Sequence, residues 1–344
     1  RRTGERFAVA RGARPRRAAA APPGSDFQRG LAVPFTGAGA RAKWDDLMNR
    51  STWTRLDIQA GLLRPKIDVH CHVWRMDPEQ EEVSSAHLVV TGAKLGIKEM
   101  WISSPITGGR LASIEDVRAQ NDAILRAARR HPHALRGLCF VVPVPAREAI
   151  KEIERCLSAG MVGIKLYNQF KICDPAVAPV LKLAAERRAP VLVHAAYLPA
   201  PEHRREQPLT SHGADFARAS EKHPDTTLIH AHIGGGGDWE WTIRALRDAS
   251  PNVLVDVSGS NLDDGQVELA VEELGAERVL FGTDGTMAGS VGKVLDASIS
   301  DYDRELIFWG NAERLLAAQG KSPLHPRVRP AQDQGEKGGP GRAL

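Results

Sequence analysis

The sequence predicts an α/β chain folded as one (β/α)8 TIM barrel, and three observations predict it. From residue 66 onward, eight short apolar runs rich in β-branched residues alternate with longer stretches of helical period. Together the eight units occupy about 250 residues, the usual size of such a barrel. No GxGxxG follows the first run, so the doubly wound open sheet lacks its phosphate-binding turn.

The strand runs are "KIDVHCH" (66–72), "KEMWISS" (98–104), "GLCFVVP" (137–143) and "VGIKLYN" (162–168). Four more follow: "PVLVHAA" (190–196), "TTLIHAHIGG" (226–235), "NVLVDVSGS" (252–260) and "RVLFGTDG" (278–285). Helices are expected over 114–130 and 145–160; in the second, Ala149, Ile150, Ile153, Cys156 and Leu157 share a face and Gly160 is the stop. The helix after the last strand is expected to start at "SDYD", where Ser300 and Asp303 have capping-box spacing. Gly234 to Gly237 lack the Lys-Ser/Thr of a phosphate loop and are read as a turn beneath a site.

The chain has 344 residues, 42% of them apolar, enough for a sizeable core. Its net charge of +4 is uneven: residues 1–24 carry +6 and residues 321–344 carry +3, leaving a mildly acidic body. Residues 1–30 read as a disordered basic extension, 31–65 as a pre-barrel segment with helical character, 66–320 as the barrel and 321–344 as a disordered tail. The basic ends raise nucleic-acid binding or a transit role, but a mobile extension is the simpler reading of Arg-, Ala- and Pro-rich composition. No run approaches the ~18 apolar residues that cross a bilayer. Cys71, Cys139, Cys156 and Cys173 are widely spaced, with no CxxC. That usage fits reduced thiols and a soluble cytoplasmic chain better than a disulfide framework, with the last three as packing residues.

In a strand, side chains two apart share a face, so His70 and His72 point one way and Cys71 the other. Such a pair begins a metal site or merely ends a strand; other strand ends decide which. Lys165 lies near the end of strand four, His194 at the end of strand five, His230 and His232 at the end of six, and Asp284 at the end of eight. In a barrel these converge on one rim, where catalytic groups sit. Neutral imidazoles with one carboxylate suit zinc, with manganese or iron as alternatives; all-oxygen ligation would suit magnesium or calcium. Three His and one Asp leave room for a water that the ion acidifies to a pKa of about 7.

The combination of "DVHCH", "GIKLY", "VLVH", "HAHIGG", "LFGTDG" and "GNAERLL" resembles the amidohydrolase superfamily over about residues 66–318. It is most similar to the branch holding metal-dependent hydrolases and the decarboxylases of aminocarboxymuconate semialdehyde and resorcylate type. The resemblance implies His70, His72, His194 and Asp284 as metal ligands, with His232 activating or orienting the water. Lys165 would join them only if carbamylated between two ions, and the branch favours a single ion, expected to be zinc. His230, two residues before His232 and on the same face by alternation, is read as a packing or supporting histidine, and Asp68 and Asp256 as hydrogen-bond partners of ligand histidines.

Weaker substrate-contact candidates are Lys165, Trp74, Tyr167 and Asn168, together with Arg204 and Arg205. The two arginines lie in the loop "YLPAPEHRREQPLTSHG", whose charges could clamp a carboxylate or simply be solvated. The leading expectation is a hydrolase of a small amide, lactone or ester, with His232 and Asp284 moving protons. The rival is a non-oxidative decarboxylase of an aromatic or muconate-type acid. A third reading, a non-catalytic metal-bearing barrel whose basic arm contacts nucleic acid, fits the full ligand set poorly. The expected partner is a small, carboxylate-bearing molecule, with neither membrane nor nucleic acid; the sequence leaves association of like chains open.

Overall fold

The computed structural model describes residues 55–326 except 75, 76, 199, 234–238 and 260. The expected extension over 1–30, the tail from 327 and the glycine run 234–237 therefore lie outside the described residues. Eight parallel strands form one sheet in the order β1 to β8, each followed by helix. They are β1 Lys66–His72, β2 Ile97–Ser103, β3 Leu135–Phe140, β4 Gly163–Leu166, β5 Val191–Val193, β6 Leu228–His230, β7 Val253–Asp256 and β8 Val279–Leu280. Val69 N donates to Phe281 O at 3.0 Å and Asp284 N to His70 O at 2.7 Å, which joins the last strand to the first and closes the (β/α)8 barrel.

The later strands are shorter than their apolar runs suggest. Strand geometry ends at Val193, His230 and Leu280, although one further rung continues in His194 N to Leu166 O and Ala231 N to Val193 O, both 3.1 Å. Beyond that rung the chain leaves the sheet, so His194, His232 and Asp284 sit on loops at the rim.

A single cluster receives a residue from each strand or its edge: Ile67, Val69, Trp101, Leu138, Val162, Leu192, Ile229, Leu254 and Leu280. This is the filled lumen of the barrel, and Trp309, Ala312, Leu315 and Leu316 close it from the C-terminal helix side. The larger cluster lies between sheet and helices and includes Cys71 and Val73 from the first strand. The two clusters reveal a departure from simple alternation. Ile67 and Val69 face the lumen while Cys71 and Val73 face the helices, and the β1–β2 register shifts between Asp68 and Cys71. That bulge reverses the parity of the strand and re-aims His70.

The helix Ile114–Arg130 begins where Ser113 accepts from Asp116 N, carries Glu115 and Asp116 in its first turn and ends with Arg129 and Arg130. The helix Ala146–Ser158 buries Ala149, Ile153 and Cys156 as expected, but its fully buried fourth residue is Glu152. Glu152 is held by Arg155, Asn121 and Arg118, a network that periodicity of apolar residues does not signal. The expectation at "SDYD" needs correction: Met287–Asp296 is the first helix after β8, and Ser300 caps the next, Asp301–Glu305, accepting from Asp303 N at 3.0 Å. All four cysteines are free; Cys71, Cys139 and Cys156 are buried and Cys173 half-buried. Among the described residues no helix is long and apolar enough to cross a membrane.

The floor of the barrel is tied by one cation. Lys66 Nζ, at the start of β1, shares its three N–H groups among the carbonyls of Gly61, Leu62, Arg64 and Leu95, 2.8–3.1 Å away, and lies 4.8 Å from the centre of the Phe308 ring. Two of those carbonyls belong to the last turn of the helix Arg55–Leu63, which lacks intrahelical partners. Gly96 completes the join: at φ +73° a Cβ there would stand 2.3 Å from Leu62 O. Lys66→Met should remove this shared donor, leaving Gly61 O only its longer contact with Arg64 N at 3.3 Å, and lower the stability by about 2–4 kcal/mol. Urea unfolding followed by circular dichroism measures it, and an unchanged midpoint would show that the ammonium is incidental.

Candidate active site and metal centre

At the rim, His70 and His72 occupy the end of β1 beside Asp284, which follows β8. His72 Nε2 is 3.2 Å from His70 Nε2 and 3.0 Å from Asp284 Oδ1, and His70 Nε2 is 3.8 Å from the same oxygen. What lies behind each ring fixes which nitrogen carries the proton. His72 Nδ1 is 3.2 Å from the carbonyl of Ser103, which can only accept, and 3.1 Å from the hydroxyl of the same residue, which can accept as well; His70 Nδ1 is 3.0 Å from Asp256 Oδ2. Both rings therefore hold their hydrogen at Nδ1 and turn a bare Nε2 toward Asp284.

Burial keeps the imidazoles of His72, His194 and His232 neutral. It pushes His72 down to about 4, opposed by the adjacent Asp284 carboxylate, and His194 down to about 3, reinforced by the nearby Lys165. His232 is likewise driven well below its ordinary value by burial and by His70. Burial alone would raise Asp284, but His72 beside it, together with His70 and His232, holds its carboxyl well below the usual carboxylate range. The result is two lone-pair nitrogens and an anionic oxygen crowded together, which repel one another unless positive charge stands among them. This donor set fits a divalent ion of the zinc or manganese kind.

Lys165, fully buried in β4, brings its Nζ to 3.0 Å from His70 Nε2, and burial lowers its ammonium to about 8. His194 stands one step away from the trio. Its Nδ1 is 3.1 Å from His232 Nε2, and Tyr167 stacks on its ring at 4.2 Å between centroids. His232 Nδ1 lies 3.0 Å from Ser258 Oγ and 3.7 Å from Asp284 Oδ2.

Two of these residues adopt backbone conformations that non-glycine residues avoid: His232 at φ +66° and Asp284 at φ +48°. The turn at His232 ends the alternation, so His230 and His232 do not share an environment. His230 is buried against Phe216, 4.7 Å between ring centres, with both ring nitrogens unpartnered among the described residues, while His232 faces the site. Asp256 and Asp68 lie against the histidines. Asp256 binds His70 Nδ1 and accepts from His232 N at 3.1 Å; Asp68 accepts from His70 N at 3.0 Å and from Thr283 N at 3.1 Å, while burial raises its carboxyl to about 7. Close packing holds this layer: a Cβ at Gly282 would stand 3.0 Å from Asp256 Cγ and 3.1 Å from His70 Cβ.

The remaining candidates divide. Trp74 is 43% exposed and lies 4.9 Å from the His72 ring, walling that side. Asn168 is not open to a substrate. Its Oδ1 accepts from Gly109 N at 3.0 Å and its Nδ2 donates to Gln207 at 3.1 Å, so it ties two rim loops together. Arg204 and Arg205 belong to the exposed helix Pro201–Glu206, where Arg204 donates to Leu198 O at 2.8 Å. Ser103, Ser258 and Thr283, which support the histidines and Asp68, were not among the residues picked out from the sequence. Ser258 stands two residues past Asp256 at the end of β7, and that i, i+2 spacing was the available signal.

The sequence profile described as "Amidohydrolase" matches residues 67–317. The chain belongs to the amidohydrolase family. It is thus a member of an enzyme superfamily, and a divalent ion accords with the donor set described above. No curated protein matches the chain. Among solved structures it is similar to 2,6-dihydroxybenzoate decarboxylase from Rhizobium, at 18% identity and TM-score 0.58, covering 73% of this chain and 98% of that one. It is also similar to dihydroxybenzoic acid decarboxylase from Polaromonas sp. JS666, with bound manganese and 2-nitroresorcinol, at 20% identity and TM-score 0.60, covering 73% and 96%. A third is 4-oxalomesaconate hydratase from Rhodopseudomonas palustris, at 14% identity and TM-score 0.60, covering 74% and 96%. At such identities the likeness establishes the shared barrel.

If His230 only packs, His230→Leu should leave thermal stability unchanged or raise it by up to about 1 kcal/mol, because two unpartnered nitrogens leave the core. Differential scanning calorimetry together with metal content decides this. Loss of bound ion in a folded His230→Leu protein would mean that the residue supports the site directly.

Proposed function

We propose that this amidohydrolase is a metal-dependent decarboxylase of an aromatic carboxylic acid. The observation that carries the reading is the buried ammonium of Lys165 set against the donor atoms of His70, His72 and Asp284. A divalent ion together with Lys165 brings three positive charges to a site where Asp284 and Asp256 supply two negative ones, and Asp68, raised to about 7, supplies part of a third. The surplus positive charge suits an anionic substrate better than a neutral amide, lactone or ester. Trp74 beside His72 and Tyr167 stacked on His194 offer aromatic walls to a planar ring. The fold neighbours lend support, since two of those described act on dihydroxybenzoates by name.

His70, His72, His194 and Asp284 would hold a single ion, zinc or manganese, with Lys165 as a charged neighbour rather than a carbamylated bridge. The second group of facing donors, His70, His232 and Asp256, is already satisfied by hydrogen bonds among its members and Ser258, so a second ion has no free ligands there. A bound divalent ion supplies a Lewis acid that orients the substrate oxygens and draws electron density from them. Lys165 balances the carboxylate, and the two aromatic side chains fix the ring plane. As the bond from ring carbon to carboxyl carbon breaks, its electron pair stays on the ring and carbon dioxide leaves; His232, with Asp284 beside it, takes a proton from water on its bare Nε2 and passes it to the vacated carbon.

The test is carbon dioxide release from a panel of hydroxybenzoates and muconate-type acids, run beside amides, lactones and esters with manganese or zinc supplied. Decarboxylation of an aromatic acid, abolished by chelation and reduced about 10²- to 10⁴-fold in His232→Ala, is expected. Hydrolysis of a neutral carbonyl compound with no carbon dioxide from any acid would replace this reading with the hydrolase one.

A further inference from the structure

Beneath the rim, one hydroxyl connects the two strands that carry His70 and His232. Ser258 is buried, two residues beyond Asp256. Its backbone N–H donates to Asp256 Oδ1 at 2.9 Å, and its hydroxyl makes a short hydrogen bond to the same oxygen. A serine hydroxyl has one proton and two lone pairs. With the proton committed to Asp256, only lone pairs face the two imidazoles, His232 Nδ1 at 3.0 Å and His70 Nδ1 at 3.2 Å. His70 has a second and nearer acceptor in Asp256 Oδ2 at 3.0 Å, whereas among the described residues the next acceptor near His232 Nδ1 is Asp284 Oδ2, at 3.7 Å.

We propose that Ser258 is a positioning residue that locks His232 as its Nδ1–H tautomer, so that the His232 Nε2 lone pair is turned toward His194 at the rim. The lock extends one ring further. A bare His232 Nε2 accepts from His194 Nδ1–H at 3.1 Å, which frees the lone pair on His194 Nε2. The chain Asp256, Ser258, His232, His194 thus orders the protons of the two later histidines, while Asp256 and Ser103 order those of His70 and His72. A short polar residue is required at 258, because Asp256 fills the space on one side and the His232 ring the other.

This inference rests on the role given to His232 above, but its decisive readout does not depend on any reaction. Long-range ¹H–¹⁵N correlation spectra of the metal-free full chain, with ¹⁵N-histidine and assignment by His232→Gln, report which ring nitrogen bears the proton. The wild-type protein should show His232 protonated at Nδ1 and bare at Nε2. In Ser258→Ala, His232 should become a tautomer mixture while His70 keeps its Nδ1 proton, and Ser258→Thr should restore the lock. With an active substrate in hand, Ser258→Ala should lower kcat about 10- to 100-fold, as for other partners of ligand histidines, with KM nearly unchanged, and threonine should recover most of the loss. A wild-type spectrum with the His232 proton on Nε2 would overturn the proposal outright. So would an unchanged His232 signal in Ser258→Ala, or equal disturbance of His70 and His232, which would indicate general loosening of the strand end.

Discussion

The rim of this barrel depends on a repulsion that the protein itself does not cancel. His70 Nε2, His72 Nε2 and Asp284 Oδ1 stand 3.0–3.8 Å apart, and the groups behind the two rings deny both Nε2 atoms a proton. Lone pairs pressed together in a buried site are unfavourable unless a cation sits among them. Lys165 answers part of that need through His70, and the rest falls to an ion. Much else at the rim can be read as maintaining this arrangement: the bulge in β1, the Asp256–Ser258 pair, the close approach at Gly282 and the unfavourable backbone conformation of Asp284.

Holding such a cluster requires a scaffold stable enough to carry it. The lumen is filled from every strand, and the floor is tied by the Lys66 ammonium to the carbonyls that the preceding helix leaves open. These lie at the opposite end of the strands from the histidines, so stability and chemistry are divided between the two ends of the barrel. The positive φ angles at His232 and Asp284 fit the same division, since strain is tolerated where the surrounding packing over-determines the backbone.

Much of this was legible in the sequence because the periodicity and the residue types agree. Eight apolar runs gave eight strands in order, and the histidines and Asp284 could be placed at strand ends without coordinates. What could not be read depends on side chains meeting across the fold. Simple alternation placed His230 with His232, and the turn at His232 broke it. In β1 the bulge divides residues of one parity, sending Ile67 and Val69 to the lumen and Cys71 to the helix layer. Asn168 looked like a substrate contact because it follows Lys165, yet its amide is spent on bridging two loops. Glu152, Lys66 and Ser258 are ordinary polar letters in a sequence, and their importance comes in large part from partners 26 to 188 residues away.

The most direct measurement is a calorimetric titration of the chelated protein with manganese or zinc, paired with elemental analysis and repeated on His72→Ala and Asp284→Asn. Convergence of these side chains on one cation predicts a single ion per chain, with affinity at least about tenfold weaker in both variants. Two ions per chain, no ion at all, or variants that bind as tightly as the wild type would contradict it.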